Sequence, residues 1–255
     1  MIGIIGAGNM GMAIAERFKK KALISDNDAA KLQAMKNKNI SPVRSNTELA
    51  MRSDIIILAV KPQDIRKAME EIRPYVKEKL IISIAAGVTT RFIEKALGKS
   101  RIIRVMPNMP AMVGKGISAV SCGRFAGPKD LKAASMIFLN LGEVIEVEEK
   151  MMDAVTAVSG SGPAYYFLFT RLLAESAEAS GLDKRLAAKL ARATFIGAAE
   201  VIKSKDLSME ELVKKVASKG GTTEAAIKVF KRRRLEDIVK KAVMDAARRS
   251  NNLTV

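Results

Sequence analysis

Gly6, Gly8 and Gly11 punctuate the opening run Ile2-Gly-Ile-Ile-Gly6-Ala-Gly8-Asn9-Met10-Gly11. Their spacing, G-x-G-x-x-G, is a weak signal alone. Here it falls between an apolar stretch, Ile2–Ile5, with strand character and an amphipathic stretch, Met10–Lys20, with helical period, and that placement gives it force. Gly6 permits a tight turn, Gly8 lets the backbone approach a pyrophosphate, and Gly11 lets the helix pack close to the strand. A helix opening there turns unpaired N–H groups and its positive dipole end towards phosphates. Asn9 and Met10 complete the turn, so residues 6 and 8–11 are expected to bind a dinucleotide.

Asp26 follows Gly6 by 20 residues, at the end of the next strand-like run. A carboxylate at that point accepts hydrogen bonds from the ribose hydroxyls of NAD and repels the additional phosphate of NADP. No arginine follows closely to offset it, so NADH is favoured over NADPH. In Ser25-Asp26-Asn27-Asp28 an aspartate also suits a turn or a helix cap, and that reading stays open.

Over the first 150 residues, short apolar runs alternate with longer amphipathic ones. Strands are expected at Ile2–Ile5, Ala22–Ser25, Ile55–Val60, Leu80–Ala85, Ile102–Met106, Ile117–Val120 and Val144–Val147. Helices are expected at Met10–Lys20, Ala29–Asn37, Gln63–Tyr75, Thr90–Leu97 and Asp130–Leu141. This rhythm implies a mostly parallel sheet with helices on both faces. From residue 151 to 255 only helical patterns remain, near Ala164–Ser180, Lys184–Ser204, Met209–Ala217, Thr223–Lys231 and Leu235–Arg249. The fold class expected is therefore α/β, with an N-terminal Rossmann dinucleotide-binding domain (1–150) and an all-α domain (151–255). Ala187–Ile202 is apolar around most of its circumference, which calls for burial on several sides. A subunit interface supplies that burial, and a homodimer or higher oligomer is expected.

Composition excludes several chemistries. The chain has no histidine, so histidine triads, proton shuttles and histidine-ligated metals are ruled out, and no metal site is expected. Cys122 is the only cysteine; no intrachain disulfide is possible, which fits the reducing cytoplasm. The uncharged run Ala154–Thr170 is too short and too broken by Gly160, Gly162 and Pro163 for a membrane span. The formal net charge of +17 attracts anions. The basic stretch Lys228–Arg234 raises the question of nucleic acid, yet no zinc-finger spacing or aromatic RNA-binding motif accompanies it, and nucleic acid is not an expected partner.

Beyond the glycine turn, five segments resemble the pyrroline-5-carboxylate reductases. They are Ala59-Val-Lys-Pro-Gln63, Ala85-Ala-Gly-Val-Thr89, Met106-Pro-Asn-Met-Pro110, Asp153-Ala-Val-Thr-Ala-Val-Ser-Gly-Ser-Gly-Pro-Ala-Tyr165 and Ser218-Lys-Gly-Gly-Thr-Thr223. The resemblance runs in order along nearly the whole chain. It implies a Rossmann domain followed by an interlocking helical dimerisation domain. It also implies reduction of the cyclic imine L-1-pyrroline-5-carboxylate to L-proline, the last step of proline biosynthesis. By the same resemblance Asn46, Ala59, Val60, Lys61 and Pro62 line the cofactor, and Asn108 lies near the nicotinamide as a catalytic candidate. The turn Gly220-Gly221-Thr222-Thr223 resembles the family's substrate loop; backbone N–H groups at a helix start grip a carboxylate without histidine or metal. The Thr223 hydroxyl is expected to bond the ring nitrogen as the second catalytic candidate, and Ser218 to reach the carboxylate. Plainer roles exist for several of these residues. Pro62 suits a helix start, Asn46 a helix cap, Asn108 a turn between prolines, and Thr223 a cap.

Three residues depart from the family pattern: Lys219 where proline is usual, and Arg171 and Lys231 at commonly acidic positions. They bear on substrate preference and leave the nucleotide site alone. Two rival readings remain at this stage. One is another imine reductase or a hydroxyacid dehydrogenase of the same plan, although Lys189 lacks the glycine-rich setting of the latter's catalytic lysine. The other is a non-enzymatic dinucleotide-sensing or nucleic-acid-binding protein.

Overall fold

The computed structural model describes residues 1–18, 20–33 and 39–253. Contacts divide it into two units: Met1–Ser161 together with the chain end from Met244, and Gly162–Val243.

Among the described residues the first unit holds one eight-stranded sheet in the order β3-β2-β1-β4-β5-β6-β7-β8. The strands are β1 (Ile2–Ile5), β2 (Ala22–Ser25), β3 (Ile40–Pro42), β4 (Ile55–Leu58), β5 (Leu80–Ser83), β6 (Arg101–Met106), β7 (Gly116–Cys122) and β8 (Gly142–Glu146). Every neighbouring pair runs parallel except β6 and β7. The central strands read as unbroken aliphatic runs because both sheet faces are covered. Successive side chains divide between two cores. Ile4, Ile57 and Ile82 pack with Ile14 of helix α1 (Asn9–Arg17) and Phe138 of α6 (Pro128–Phe138). On the other face Ile5, Ile56 and Ile81 pack with Leu49 of α3 (Asn46–Arg52), Met69 of α4 (Ile65–Ile72) and Ile93 of α5 (Thr90–Leu97). A short α2 (Ala29–Gln33) follows β2; the expected continuation to Asn37 lies outside the described residues.

Several elements were not foreseen, β3 and α3 among them. β3 has only three residues, too few for period-two alternation to register, and ends on Pro42. A proline is tolerated there because β3 is an edge strand. Helix α3 is capped by Ser45, whose hydroxyl accepts from the Glu48 N–H at 3.1 Å, while Glu48 reaches back to the Arg44 N–H, also at 3.1 Å. The Ser45-x-x-Glu48 spacing is the sequence signature of such a start.

The chain end returns to the first unit through polar contacts. Arg104 on β6 is buried, with Glu149 at 3.4 Å and Asp153 at 3.7 Å. Asp153, in the short α7 (Met152–Val155), also accepts from Ser250 Oγ at 2.7 Å. Glu149 accepts from Thr90 N at 2.7 Å and Thr90 Oγ1 at 2.6 Å. A charge this far from water is tolerated because its partners are themselves hydrogen-bonded.

The second unit is helical: α8 (Gly162–Ala179), α9 (Lys184–Ser204), α10 (Met209–Val216), α11 (Thr222–Arg232) and α12 (Leu235–Asn251) up to Val243. Asp183 and Ser208 cap α9 and α10 by accepting from Leu186 N at 3.0 Å and Glu211 N at 3.2 Å. Tyr166 and Phe195 join α8 to α9 with ring centroids 5.6 Å apart. Only Gly162, Ala187 and Ala191 of this unit are buried within the chain. Leu190, Ile196 and Ile202 on α9 stand exposed, as does Phe167 on α8. Apolar surface on this scale marks an interaction face. Among the described residues no helix is long and apolar enough to cross a membrane.

Candidate active site

In the order β3-β2-β1-β4 the sheet reverses direction of growth between β1 and β4, and such a switch point leaves a crevice at the carboxyl ends of the strands. A cleft of about 540 Å³ opens there. The structure brings Gly6, Gly8, Asp26, Asn46, Ala59, Val60 and Lys61 together along it. Pro62 does not line it and instead opens a single 3₁₀ turn, Pro62–Asp64. Asn9 borders an adjoining hollow with Gly8 and Met12, and Met10 and Gly11 lie in the first turn of α1.

The glycine turn is shaped by close approach. Gly6 has φ +108°, and a Cβ there would lie 2.6 Å from the Ala59 carbonyl oxygen. A Cβ on Gly11 would lie 2.0 Å from the Gly6 oxygen, so α1 starts against the turn only with glycine. Gly8 differs: its Cβ would meet nothing within 4 Å among the described residues. It caps α1 without any side-chain hydrogen bond, leaving the first-turn N–H groups to face an incoming anion. These residues fit a pyrophosphate.

The Asp26 carboxylate accepts from the Ala7 N–H at 2.7 Å, the Asp28 N–H at 2.8 Å and Lys31 Nζ at 3.3 Å. Burial alone would raise its pKa. The Asp28 and Ala7 N–H groups, with the Lys31 ammonium, outweigh that and hold the carboxyl below its usual range. Each carboxylate oxygen takes two hydrogen bonds, so Oδ2 keeps room for a ribose hydroxyl. No arginine was expected close to Asp26; the cation that does reach it is Lys31, five residues on, in the first turn of α2.

Asn46 is buried, and both arms of its amide are engaged. Oδ1 accepts from Ser25 Oγ at 2.6 Å, and Nδ2 donates to Glu71 Oε2 at 2.6 Å. Glu71, on α4, lines the cleft, although no motif had singled it out. Asn108 does not line it. This residue is buried after β6, where Oδ1 accepts from Ile117 N at 3.0 Å and Nδ2 donates to Ser159 Oγ at 3.3 Å. Ser159 belongs to a π-type turn closed by Ser161 N on Thr156 O at 2.8 Å. Such turns inside helices are often found at functional sites.

In the helical unit, Ser218, Gly220, Gly221, Thr222 and Thr223 form the turn that opens α11. Gly220 has φ +75°, and Gly221 caps the helix with no side-chain bond. The Gly220 N–H donates to Glu224 Oε2 at 2.8 Å, and the Gly221 N–H to Ser218 O at 3.0 Å. The Gly220 N–H, followed by Lys228, holds the Glu224 carboxyl below its usual range. As first residues after the cap, Thr222 and Thr223 have N–H groups without helical partners. Thr223 also borders an apolar hollow with Ile202, Val213 and Ile227. Of the departures from the family pattern, Arg171 pairs with Glu175 at 2.7 Å on the surface of α8, and Lys219 and Lys231 are exposed.

Comparison with known proteins adds a separate line of observation. Residues 149–253 match the family model described as pyrroline-5-carboxylate reductase dimerisation, and residues 1–87 match that described as NADP oxidoreductase coenzyme F420-dependent. The chain is 38% identical to the pyrroline-5-carboxylate reductase of Synechocystis sp., covering 99% of this chain and 97% of that protein. The solved pyrroline-5-carboxylate reductase of Coxiella burnetii superposes with a TM-score of 0.91 at 36% identity, over 100% of this chain and 98% of that one. The Plasmodium falciparum pyrroline carboxylate reductase, solved with NADP bound, gives 0.89 at 31% identity, with 100% and 98% covered.

Proposed function

This chain belongs to the pyrroline-5-carboxylate reductase family, and from that membership we propose that its two glycine turns divide the work, the Gly6–Gly11 turn holding the dinucleotide and the Gly220–Thr223 turn holding the imine. The chain is an NAD(P)H-dependent oxidoreductase that reduces L-1-pyrroline-5-carboxylate to L-proline, the last step of proline biosynthesis. The observation that carries the division is Gly8: the fold makes no steric demand for glycine there, whereas a pyrophosphate drawn to the α1 N-terminus does.

Bound in the cleft, the reduced nicotinamide supplies the hydride that passes to the imine carbon. The chain's own residues orient and neutralise. First-turn N–H groups of α1 bind the phosphates, Asp26 holds the ribose, and Ala59, Val60 and Lys61 line the cleft around the dinucleotide. The Thr222 and Thr223 N–H groups take the substrate carboxylate, joined by Ser218 and, once Glu224 yields, Gly220. The Thr223 hydroxyl accepts from the protonated ring nitrogen and turns one imine face to the hydride, and Asn108 braces the nicotinamide side through Ser159. An iminium ion is already a good hydride acceptor, so no dedicated proton donor is needed. Holding the reacting carbons near contact distance supplies roughly 7–11 kcal/mol of barrier reduction.

NADH is the preferred reductant on this reading because Asp26 faces the ribose hydroxyl that carries the extra phosphate in NADPH. The protein acts in the cytoplasm as a homo-oligomer, a dimer at least, whose helical units cover each other's apolar helices. Nucleic acid is not a partner. The deciding experiment compares oxidation of NADH and NADPH in the presence of the imine. A higher kcat/KM with NADH is expected; a tenfold or greater advantage for NADPH (about 1.4 kcal/mol) overturns the preference, and no imine-dependent oxidation of either overturns the function.

A further inference from the structure

Asn46 looks like a residue that touches the dinucleotide directly, but its amide is spent elsewhere. Ser25 Oγ donates to Oδ1 at 2.6 Å, and Nδ2 donates to Glu71 Oε2 at 2.6 Å. The orientation is forced, since a carboxylate only accepts and the NH₂ group must face it. Thr47 Oγ1 holds the Glu71 carbonyl at 3.3 Å, fixing the backbone from which this side chain springs. Ser25 and Asn46 are buried, Glu71 is half-buried on the cleft wall, and Glu71 Oε1 takes no partner among the described residues. A relay of three side chains therefore aims one open carboxylate oxygen into the cleft.

Its position in the cleft says what it meets. Ser25 precedes Asp26, which on the reading above holds the adenosine ribose. On that reading the base attached to the ribose falls beside Glu71, where Ala68 gives the cleft an apolar wall. We propose that Glu71 recognises the 6-amino group of the adenine, and that Asn46 is the positioning residue that holds it there. An acceptor-only group bonds an amine and repels a carbonyl oxygen, so Glu71 selects adenine over a 6-oxopurine.

The inference rests on the dinucleotide occupying the cleft, and its test reads binding separately from turnover. The protein is titrated with NADH and with reduced nicotinamide hypoxanthine dinucleotide, following nicotinamide fluorescence. The two probes differ only in the purine base, where the amine becomes a carbonyl and N1 gains a proton. NADH is expected to bind about tenfold tighter or more, as for a hydrogen bond to a charged group. Glu71→Gln supplies an amide that donates to the carbonyl oxygen and brings the two affinities within about twofold. Asn46→Ala leaves Glu71 present but unheld, and narrows the gap as well. Equal affinities in the unaltered protein overturn the inference without needing any variant, as does a full gap in Glu71→Gln; a full gap in Asn46→Ala removes the positioning role. Imine-dependent turnover is measured alongside. Discrimination in binding without turnover sinks the proposed reaction and leaves Glu71 standing, whereas turnover without discrimination sinks Glu71 alone.

Discussion

Two glycine turns each open a helix in this molecule, and they are made in different ways. In the first, backbone crowds backbone: a Cβ on Gly6 would sit 2.6 Å from Ala59 O, and one on Gly11 2.0 Å from Gly6 O. In the second, a Cβ on Gly220 would meet nothing within 4 Å among the described residues, so only φ +75° asks for glycine there, and one on Gly221 would lie 2.5 Å from Ser218 Oγ, a side chain that can turn aside. The surroundings differ in the same sense. The first turn is set into a sheet whose central strands are buried on both faces, while the second lies in a unit that buries only Gly162, Ala187 and Ala191 by itself. Folding and ligand binding therefore make the same demand at Gly6 and Gly11. At Gly8 the ligand's demand stands nearly alone, and in the Gly220–Thr223 turn the fold asks only for φ +75° at Gly220 and for room beside Ser218 at Gly221.

The contrast breaks most visibly at Gly11. Gly11→Ala drives a methyl group into a carbonyl that cannot step aside, an overpacking that costs about 3 kcal/mol, at the upper end of the usual range. The expected outcome is a fall in Tm of roughly 6–12 °C with loss of NADH binding; an unchanged melt would show that the two turns are built alike. Thr223→Ala comes next and acts on function alone. It should lower kcat/KM for the imine by about tenfold or more while leaving NADH affinity and Tm unchanged. A fall in NADH affinity of the same size would erase the division of labour. Asp26→Asn gives the smallest effect. The Asp26 carboxyl is held below its usual range, so its contribution is present above the unfolded carboxylate value and lost as pH falls through the lowered folded value. Wild-type and Asp26→Asn melting curves should be separated at neutral pH and converge in acid. A gap that stays constant down to the acid limb would remove the Asp28, Ala7 and Lys31 bonds as its cause.

What could be read from residues alone follows the same line. The Gly6–Gly11 turn, Asp26 and the aliphatic strands announce themselves because several local demands agree at each of them. β3 escaped because three residues ending in Pro42 carry no period, and α3 because the Ser45-x-x-Glu48 spacing precedes a helix of only seven residues. Glu71 left no local trace at all, and Ser159 entered only within the Asp153–Tyr165 segment, with no role of its own. Their roles come from partners 25 and 51 residues away, Asn46 and Asn108, and side-chain pairing over that span has no pattern in sequence. The tie from Ser250 to Asp153, 97 residues apart, is hidden for the same reason, so the expected boundary near residue 150 did not anticipate a chain end that rejoins the first unit.

Gly8 separates ligand from fold more cleanly than Gly6 or Gly11, because no described residue opposes a methyl group there. The direct measurement is an NADH titration of Gly8→Ala beside its thermal melt. A dinucleotide lying against this turn predicts a Tm within about 1–2 °C of wild type, as for a change within 0.5 kcal/mol, and a dissociation constant raised about tenfold or more. NADH affinity left untouched by the added methyl group would contradict it.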